Sequence, residues 1–446
     1  MEATQSDNSD GMTQVTSAMM DMELPGGGSS DNNNDATTTA SREAPPAPRR
    51  PLEAVLQAGP PADPIPFPRP LFERGRRDDV LCYNEQRQTH DVARGVLFRD
   101  FSREYGDPDG ALGRVKEAYW PLPYKEKIKT IMGHVEICLL LKRCTSDSDD
   151  SLSDESSNDD SSNAGEDEDI VFEMTSQYVA VKVNYCDRMD AMRNKHAEDP
   201  LKEIAAMQLI GNSHPNVMGA IDVLFDGANL NVVMPFCGNG DLFQILQDSQ
   251  QQEVPGLPEG RARFYFRQIL AGMVHLHGKG ICHRDLSPEN VMIDNNGCLI
   301  IDMGMCIRIP YSDPKNPAQV TDIQNGTQKR LIRPQGACGK LPYMSPEIYR
   351  NRAPFDGGAV DIWTAGTILF CMVTGNRSYG RPHATDPQFY WMTHGLERLV
   401  ADWNIHISNE CLHLMQNMLR IDPMERLTLE ECVNHPWFRF EDEEPM

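Results

Sequence analysis

The run His283-Arg284-Asp285-Leu286-Ser287-Pro288-Glu289-Asn290 carries the densest chemistry in the chain. A carboxylate and a carboxamide stand five residues apart on what reads as one loop. Asp285 can accept a hydrogen bond, and then a proton, from a hydroxyl; Asn290 offers an oxygen to a hard metal ion. A second carboxylate, Asp302, follows Asn290 by twelve residues, at the end of an apolar run and ahead of Met303-Gly304. Upstream, Val179-Ala180-Val181-Lys182 sends a cation out of an apolar strand, and Glu203 can fix that ammonium in place. A proton acceptor, two oxygen ligands and a held cation suit phosphoryl transfer, which needs charge neutralised and two oxygens aligned.

The elements that must bring these residues together read as a strand-rich front and a helix-rich back. Lys127 to Met132 and Val135 to Leu141 read as strands around Gly133, and Val171 to Val183 as another. Leu201 to Ile210 reads as a helix and Leu230 to Met234 as a short buried strand. After Asp241 the chain turns helical, notably over Gly260 to His277 and Asp361 to Thr374. Two lobes with a cleft between them follow from that division. Residues 72–120 are ambiguous: Val92 to Phe101 has helical spacing, and Trp120 can dock on the next domain.

The catalytic-loop string resembles the His-Arg-Asp-x-x-x-x-Asn motif of eukaryotic protein kinases, with Asp302-Met303-Gly304 in place of Asp-Phe-Gly and Val179 to Lys182 in place of Val-Ala-Ile-Lys. Ser345-Pro346-Glu347, Asp361 to Gly366, Asp422 to Arg426 and His435 to Phe438 follow in the order of the family. The resemblance implies an α+β, bilobal kinase fold, with a small β-rich lobe carrying one main helix and a larger α-helical lobe. It spans roughly residues 122–440, with 1–70 as a disordered tail, 71–121 as an uncertain extension and 441–446 as an acidic tail. It implies ATP and Mg2+ as cofactors, with Asp285, Lys182 and Lys340 catalytic and Asn290 and Asp302 on the metal. The nucleotide would meet Gly133, Val135, Ala180, Lys182, Glu203, Met234, Phe236, Cys237, Asp241 and Met292. Arg284 would anchor a phosphorylated activation segment, and Glu347 would pair with Arg426.

Three departures from the family pattern matter. Gly133 aligns with the last glycine of the phosphate loop, but Ile128 and Thr130 stand where the first two would be, so side chains hinder close approach of backbone amides to phosphates. Ser287 stands where serine/threonine kinases carry a lysine. Lys340, in Gly339-Lys340-Leu341-Pro342-Tyr343, replaces a threonine and has the reach to supply the cation that Ser287 lacks. Met303 is expected to pack as the usual phenylalanine does.

Pro288-Glu289 favours serine/threonine over tyrosine specificity, and the large lobe looks most like calcium/calmodulin-dependent-type kinases, without a calmodulin-target helix after Phe438. Asp241 and Glu289 align with positions that accept basic residues upstream of the acceptor. The alternative function is a pseudokinase that binds nucleotide or scaffolds a partner. The net charge of −24 argues against a nucleic-acid surface. Residues 145–169 hold eleven acids and no Lys or Arg, so they read as a disordered insert in the small lobe that can dock a basic partner. Twelve scattered cysteines without a CxxC pair, a polar start and short apolar runs suggest reduced thiols, no membrane span and a cytoplasmic or nuclear protein.

Overall fold

The computed structural model describes residues 59–102, 114–144, 171–192, 199–251, 256–294 and 297–442. Residues 1–58 of the expected tail, the acidic insert 145–169 and residues 443–446 lie outside them.

Alternating apolar residues build a small lobe of eight strands. β1 (Glu73–Asn84) pairs antiparallel with β2 (Thr89–Arg99). β3 (Glu117–Pro121) and β4 (Ile128–Lys129) both lie along β5 (Gly133–Arg143), and β5 pairs with β6 (Val171–Tyr185). β7 (Asp222–Phe225) and β8 (Asn229–Pro235) complete the order β3-β2-β1-β7-β8-β6-β5-β4. Because β3 pairs with both β2 and β5, the sheet closes on itself and most of its edges disappear. Val80, Val96, Phe98, Leu141 and Phe172 fill one part of the interior; Leu97, Leu140, Val181, Leu224 and Val233 fill another.

This architecture corrects the reading of residues 71–121. They form β1, β2 and β3 of the same sheet that carries Lys182, so the small lobe starts at Glu73, well before residue 122. The helical spacing at Val92 to Phe101 is a strand as far as Arg99. The register slips between Asp78 and Val80, and Gly95 takes φ 66°, so the two-residue alternation breaks and apolar residues fall four apart. Residues 59–70 are also not a free tail: Ala62 and Ile65 make bridges to Ile332 and Arg308. The strand expected over Lys127 to Met132 shrinks to Ile128–Lys129, because Thr130 starts a tight turn.

A buried polar knot holds β1 onto the other strands. Arg77 reaches Glu136 on β5 at 2.6 Å, Asn231 on β8 at 3.0 Å and Asp226 between β7 and β8 at 3.7 Å. Lys127 adds a second cation at 3.0 Å from Glu136. Burial alone would raise the Glu136 carboxyl, but Arg77 and Lys127 beside it hold it below its ordinary value of 4.5.

Two helices follow β6: α1 (Cys186–Met192) and α2 (Pro200–Ile210). The Asp199 side chain caps α2 at the Leu201 amide, and Pro200 suits the first turn because no hydrogen bond is lost there. The large lobe is built from α3 (Leu242–Gln251), α4 (Glu259–Gly278), α5 (Pro346–Arg350), α6 (Gly357–Thr374) and shorter helices between Pro387 and Val433. Ile269, Trp363, Phe370, Met415 and Trp437 belong to its core. α6 is long and apolar enough to cross a bilayer, but 94% of it is buried in the lobe. Asp356 caps it at the Gly358 amide at 2.8 Å, and Gly375 ends it at φ 66°. All twelve cysteines are unpaired thiols.

Candidate active site

The loop that carries Asp285 follows a two-residue strand, β9 (Ile281–Cys282), paired to β12 (Ile307–Arg308). Its anchor is Asp361 of α6, which is fully buried. The two Asp361 carboxylate oxygens accept the His283 amide at 2.8 Å and the Arg284 amide at 2.9 Å. His277 donates to the same group from α4 at 2.9 Å. That grip holds Arg284 at φ 67°, a conformation a non-glycine residue adopts only under constraint. His283 donates from Nε2 to the Ile301 carbonyl at 2.9 Å, while its Nδ1 accepts the Asp285 amide at 3.3 Å. The imidazole is therefore a structural strut.

Spacing explains the proximity of Asn290 and Asp302. Strands β10 (Val291–Asp294) and β11 (Gly297–Ile300) form a hairpin that returns the chain to its start, and the Ile301 amide donates to the Asn290 carbonyl at 3.0 Å. Asn290 donates through Nδ2 to the Asp285 carbonyl at 2.7 Å. With the amide group so fixed, its Oδ1 is the atom that would reach a metal, although Lys340 Nζ also lies 3.5 Å from it. Asp302 sits at φ 65° and accepts the Gly304 amide at 3.1 Å. A carboxylate and a carboxamide oxygen brought together by one hairpin fit a hard, oxygen-seeking ion such as Mg2+.

Across the cleft, Lys182 on β6 donates to both oxygens of Glu203 on α2, at 2.8 Å each. The pair is mostly shielded, with side chains 22% and 12% exposed, so it fixes the ammonium more firmly than a surface pair would. Val135 stands opposite Lys182, and Ala180 opposite Met234, in the strand register. Met292 bridges to Asp241, whose carboxylate caps the start of α3 at the Gln244 amide, 2.8 Å away. Phe236 and Cys237 lie just after β8, and burial pushes the Cys237 thiol up to about 11. Met303 is buried in the same cluster as Ile204 and Met207 of α2.

Lys340 enters from the far side. Gly339, at φ 88°, passes so close to the loop that an added Cβ would stand 3.0 Å from the Arg284 carbonyl and 3.2 Å from Asp285 Oδ1. The close approach lets the Lys340 amide donate to Asp285 Oδ1 at 3.2 Å. Lys340 Nζ lies 2.6 Å from Ser287 Oγ, 3.5 Å from Asn290 Oδ1 and 3.7 Å from Glu289. Burial raises the Asp285 carboxyl above the ordinary aspartate range and the Asp302 charge adds to the rise, against the opposing pull of Lys340 and His283. Farther along, Arg426 meets Glu347 at 2.8 and 3.2 Å, joining the end of this segment to the large lobe.

Gly133 is placed differently from its expected role. A Cβ there would stand 1.9 Å from the Val183 carbonyl, and its amide already donates to Thr130 Oγ1 at 3.0 Å. Its missing side chain serves the packing of β5 on β6, and its N–H closes a turn; neither is left for a phosphate. The sequence reading also passed over Asp361 as a site residue. Its signal was a lone acid in an otherwise apolar helical run, from Val360 to Phe370, where an unpaired charge would be costly to bury.

Residues 165–438 match the protein kinase domain family, well over half of the chain. The match begins after β1 to β5, the part of the small lobe that holds the altered phosphate loop. Among curated proteins, the chain is 33% identical over 211 residues to the serine/threonine-protein kinase CHK1 of Mycosarcoma maydis, 47% of this chain and 28% of that protein. It is 30% identical over 267 residues to CBL-interacting protein kinase 16 of Oryza sativa, 59% of this chain and 52% of that protein. It is 31% identical over 273 residues to the human SNF-related serine/threonine-protein kinase, 61% of this chain and 31% of that protein. The alignments thus span about half or less of each of these relatives.

Proposed function

The chain belongs to the protein kinase family, and we propose that it transfers the γ-phosphate of ATP to serine or threonine hydroxyls of proteins. The observations that carry this reading are the doubly bonded Lys182–Glu203 pair and the Asp361-anchored loop on which Asn290 binds the Asp285 carbonyl. In this reading, Lys182 holds the nucleotide phosphates and Glu203 holds Lys182. Asn290 and Asp302 would grip magnesium; bound magnesium neutralises phosphate charge and draws electrons from the phosphorus. Asp285 orients the acceptor hydroxyl and takes its proton as the oxygen attacks in line. Its raised affinity for a proton, set chiefly by burial, suits that task.

Lys340 is assigned the cationic role at the transferring group. Its ammonium hydrogen-bonds the Ser287 hydroxyl, and its amide restrains Asp285. A cation aimed at charge that develops in the transition state stabilises it without reorganisation. The adenine would lie between Val135 and Ala180 above and Met292 below, with Phe236 and Cys237 presenting backbone groups.

The protein substrate is proposed to carry basic residues upstream of the acceptor, read by Asp241 and Glu289. Lys340 lies 3.7 Å from Glu289 and weakens that subsite's field, so Asp241 has the larger share of the selection. A phosphate-transfer assay on a randomised peptide pool tests both parts. Transfer to Ser/Thr peptides with upstream Arg or Lys is the expected result; transfer without basic enrichment removes the substrate proposal, and no transfer removes the reading.

A further inference from the structure

Residues 60–70 contain six prolines, which fix φ and leave few backbone donors. Two of the donors that remain are used on one target. The Ala62 amide donates to the Leu331 carbonyl at 3.0 Å and the Ile65 amide to the Arg308 carbonyl at 3.2 Å. Carbonyls of the same stretch accept in return: Ala62 from the Arg333 amide at 2.9 Å, Pro66 from Arg308 Nη1 at 2.9 Å, and Pro60 from Arg330 Nε at 2.8 Å. Arg308 and Arg330 are largely buried, so the Pro66 and Pro60 carbonyls satisfy guanidinium donors with little access to water. Asp63 adds an ion pair to Arg333 at 2.8 Å.

The strap therefore ties the start of the segment after Asp302, at Arg308, to its middle, at Leu331 to Arg333. It then reaches the helix that carries Glu203. The Leu71 amide donates to Gln208 Oε1 at 2.9 Å, and Gln208 Nε2 donates back to the Leu71 carbonyl at 2.5 Å. Beneath it lies a cavity of about 710 Å³ lined in part by Arg284, Lys202 and Cys338. The sequence from Gln328 to Pro342 holds no Ser, Thr or Tyr, so the stretch beside Arg284 offers no hydroxyl to phosphorylate. Arg284 instead donates to Cys338 Sγ at 2.6 Å.

We propose that residues 60–71 are a positioning strap. It holds the segment after Asp302 and helix α2 in the arrangement that seats Lys340 beside Asp285 and pairs Lys182 with Glu203, in place of a phosphate group beside Arg284. A chain of alternating prolines is pre-extended, so docking it orders little that was free. The proposal rests on the phosphotransfer reading for its activity readout and on amide exchange for its structural one, so the two can fail separately.

The test uses the full chain in three forms. Wild type treated with a broad-specificity phosphatase should keep its kcat within about twofold; loss of activity on that treatment overturns the proposal. Ala62→Pro with Ile65→Pro removes the two amide donors from the strap to the segment after Asp302. The result expected is faster exchange of the Arg333 amide and a fall in kcat of about tenfold or more, with a smaller change in the KM for ATP. A synthetic peptide of residues 58–72 added in excess should restore part of the kcat, which a merely destabilised fold would not allow. Gln208→Ala, at an exposed position, should lower kcat severalfold at unchanged Tm and serves as the judge if the double variant does not fold. Unchanged kcat in the variants, or unchanged Arg333 exchange in the double variant, overturns the strap. Were wild type inert, the exchange result alone would decide whether the strap orders the segment.

Discussion

Lys340 Nζ lies 2.6 Å from Ser287 Oγ, although the two residues are 53 positions apart in the chain. The loop position that lacks a cation and the segment position that gained one are thus in direct contact. Lys340→Ala should lower turnover by about tenfold or more, and Ser287→Lys in that background should recover part of it. Steady-state kcat on a peptide substrate decides: equal turnover for wild type and Lys340→Ala would leave Lys340 as a solvated surface residue.

Asp361 is the acceptor for three donors on two elements. Asp361→Asn keeps the shape but turns an NH2 group toward at least one N–H, leaving buried donors unpaired at a cost of about 1–3 kcal/mol. Both the melting temperature and kcat should fall, because the same contacts fix the loop that carries Asp285. A normal kcat in a destabilised variant would show that the loop keeps its form without this grip.

Gly133→Ala places a methyl group against the Val183 carbonyl, and backbone on both sides leaves little room to move. Overpacking of this kind costs about 1–3 kcal/mol. Denaturant unfolding should register the loss. A variant that folds with normal stability but binds ATP more weakly would return Gly133 to the phosphate loop role read from sequence.

Glu136 gives a pH signature. Its folded carboxyl sits below its ordinary value of 4.5, so its stabilising charge is fully present above about that pH and is lost as pH falls through the lower folded value. The stability gap between wild type and Glu136→Gln should be widest near neutrality and shrink on acidification below pH 4.5. A gap that does not change with pH would assign the residue a packing role only.

The contacts of the candidate site residues were legible because they are set by short stretches: a strand lysine meets Glu203, and one loop string places Asn290 on the Asp285 carbonyl. Element types in the large lobe were legible for a related reason. The helix read over Gly260 to His277 spans Glu259–Gly278, since its apolar periodicity faces a single core. The β1–β2 hairpin was not legible, because the Gly95 bulge destroys the alternation that marks a strand. The strap was not legible either. A run of prolines is the composition of a loose tail, and only its pairing with Arg308 and Arg333, more than 240 residues away, gives it a place. Gly133 shows the limit of motif alignment: the residue is where the pattern puts it, but the contact that needs a glycine there is Val183.

The most direct measurement is transfer of radiolabelled phosphate from ATP to a Ser/Thr peptide pool, with magnesium present, by wild type and by Asp285→Ala. The account predicts steady transfer by wild type and a fall of about a hundredfold or more in the variant. Equal rates in the two proteins, or no transfer by a folded wild type that still binds ATP, would contradict it and leave the pseudokinase alternative.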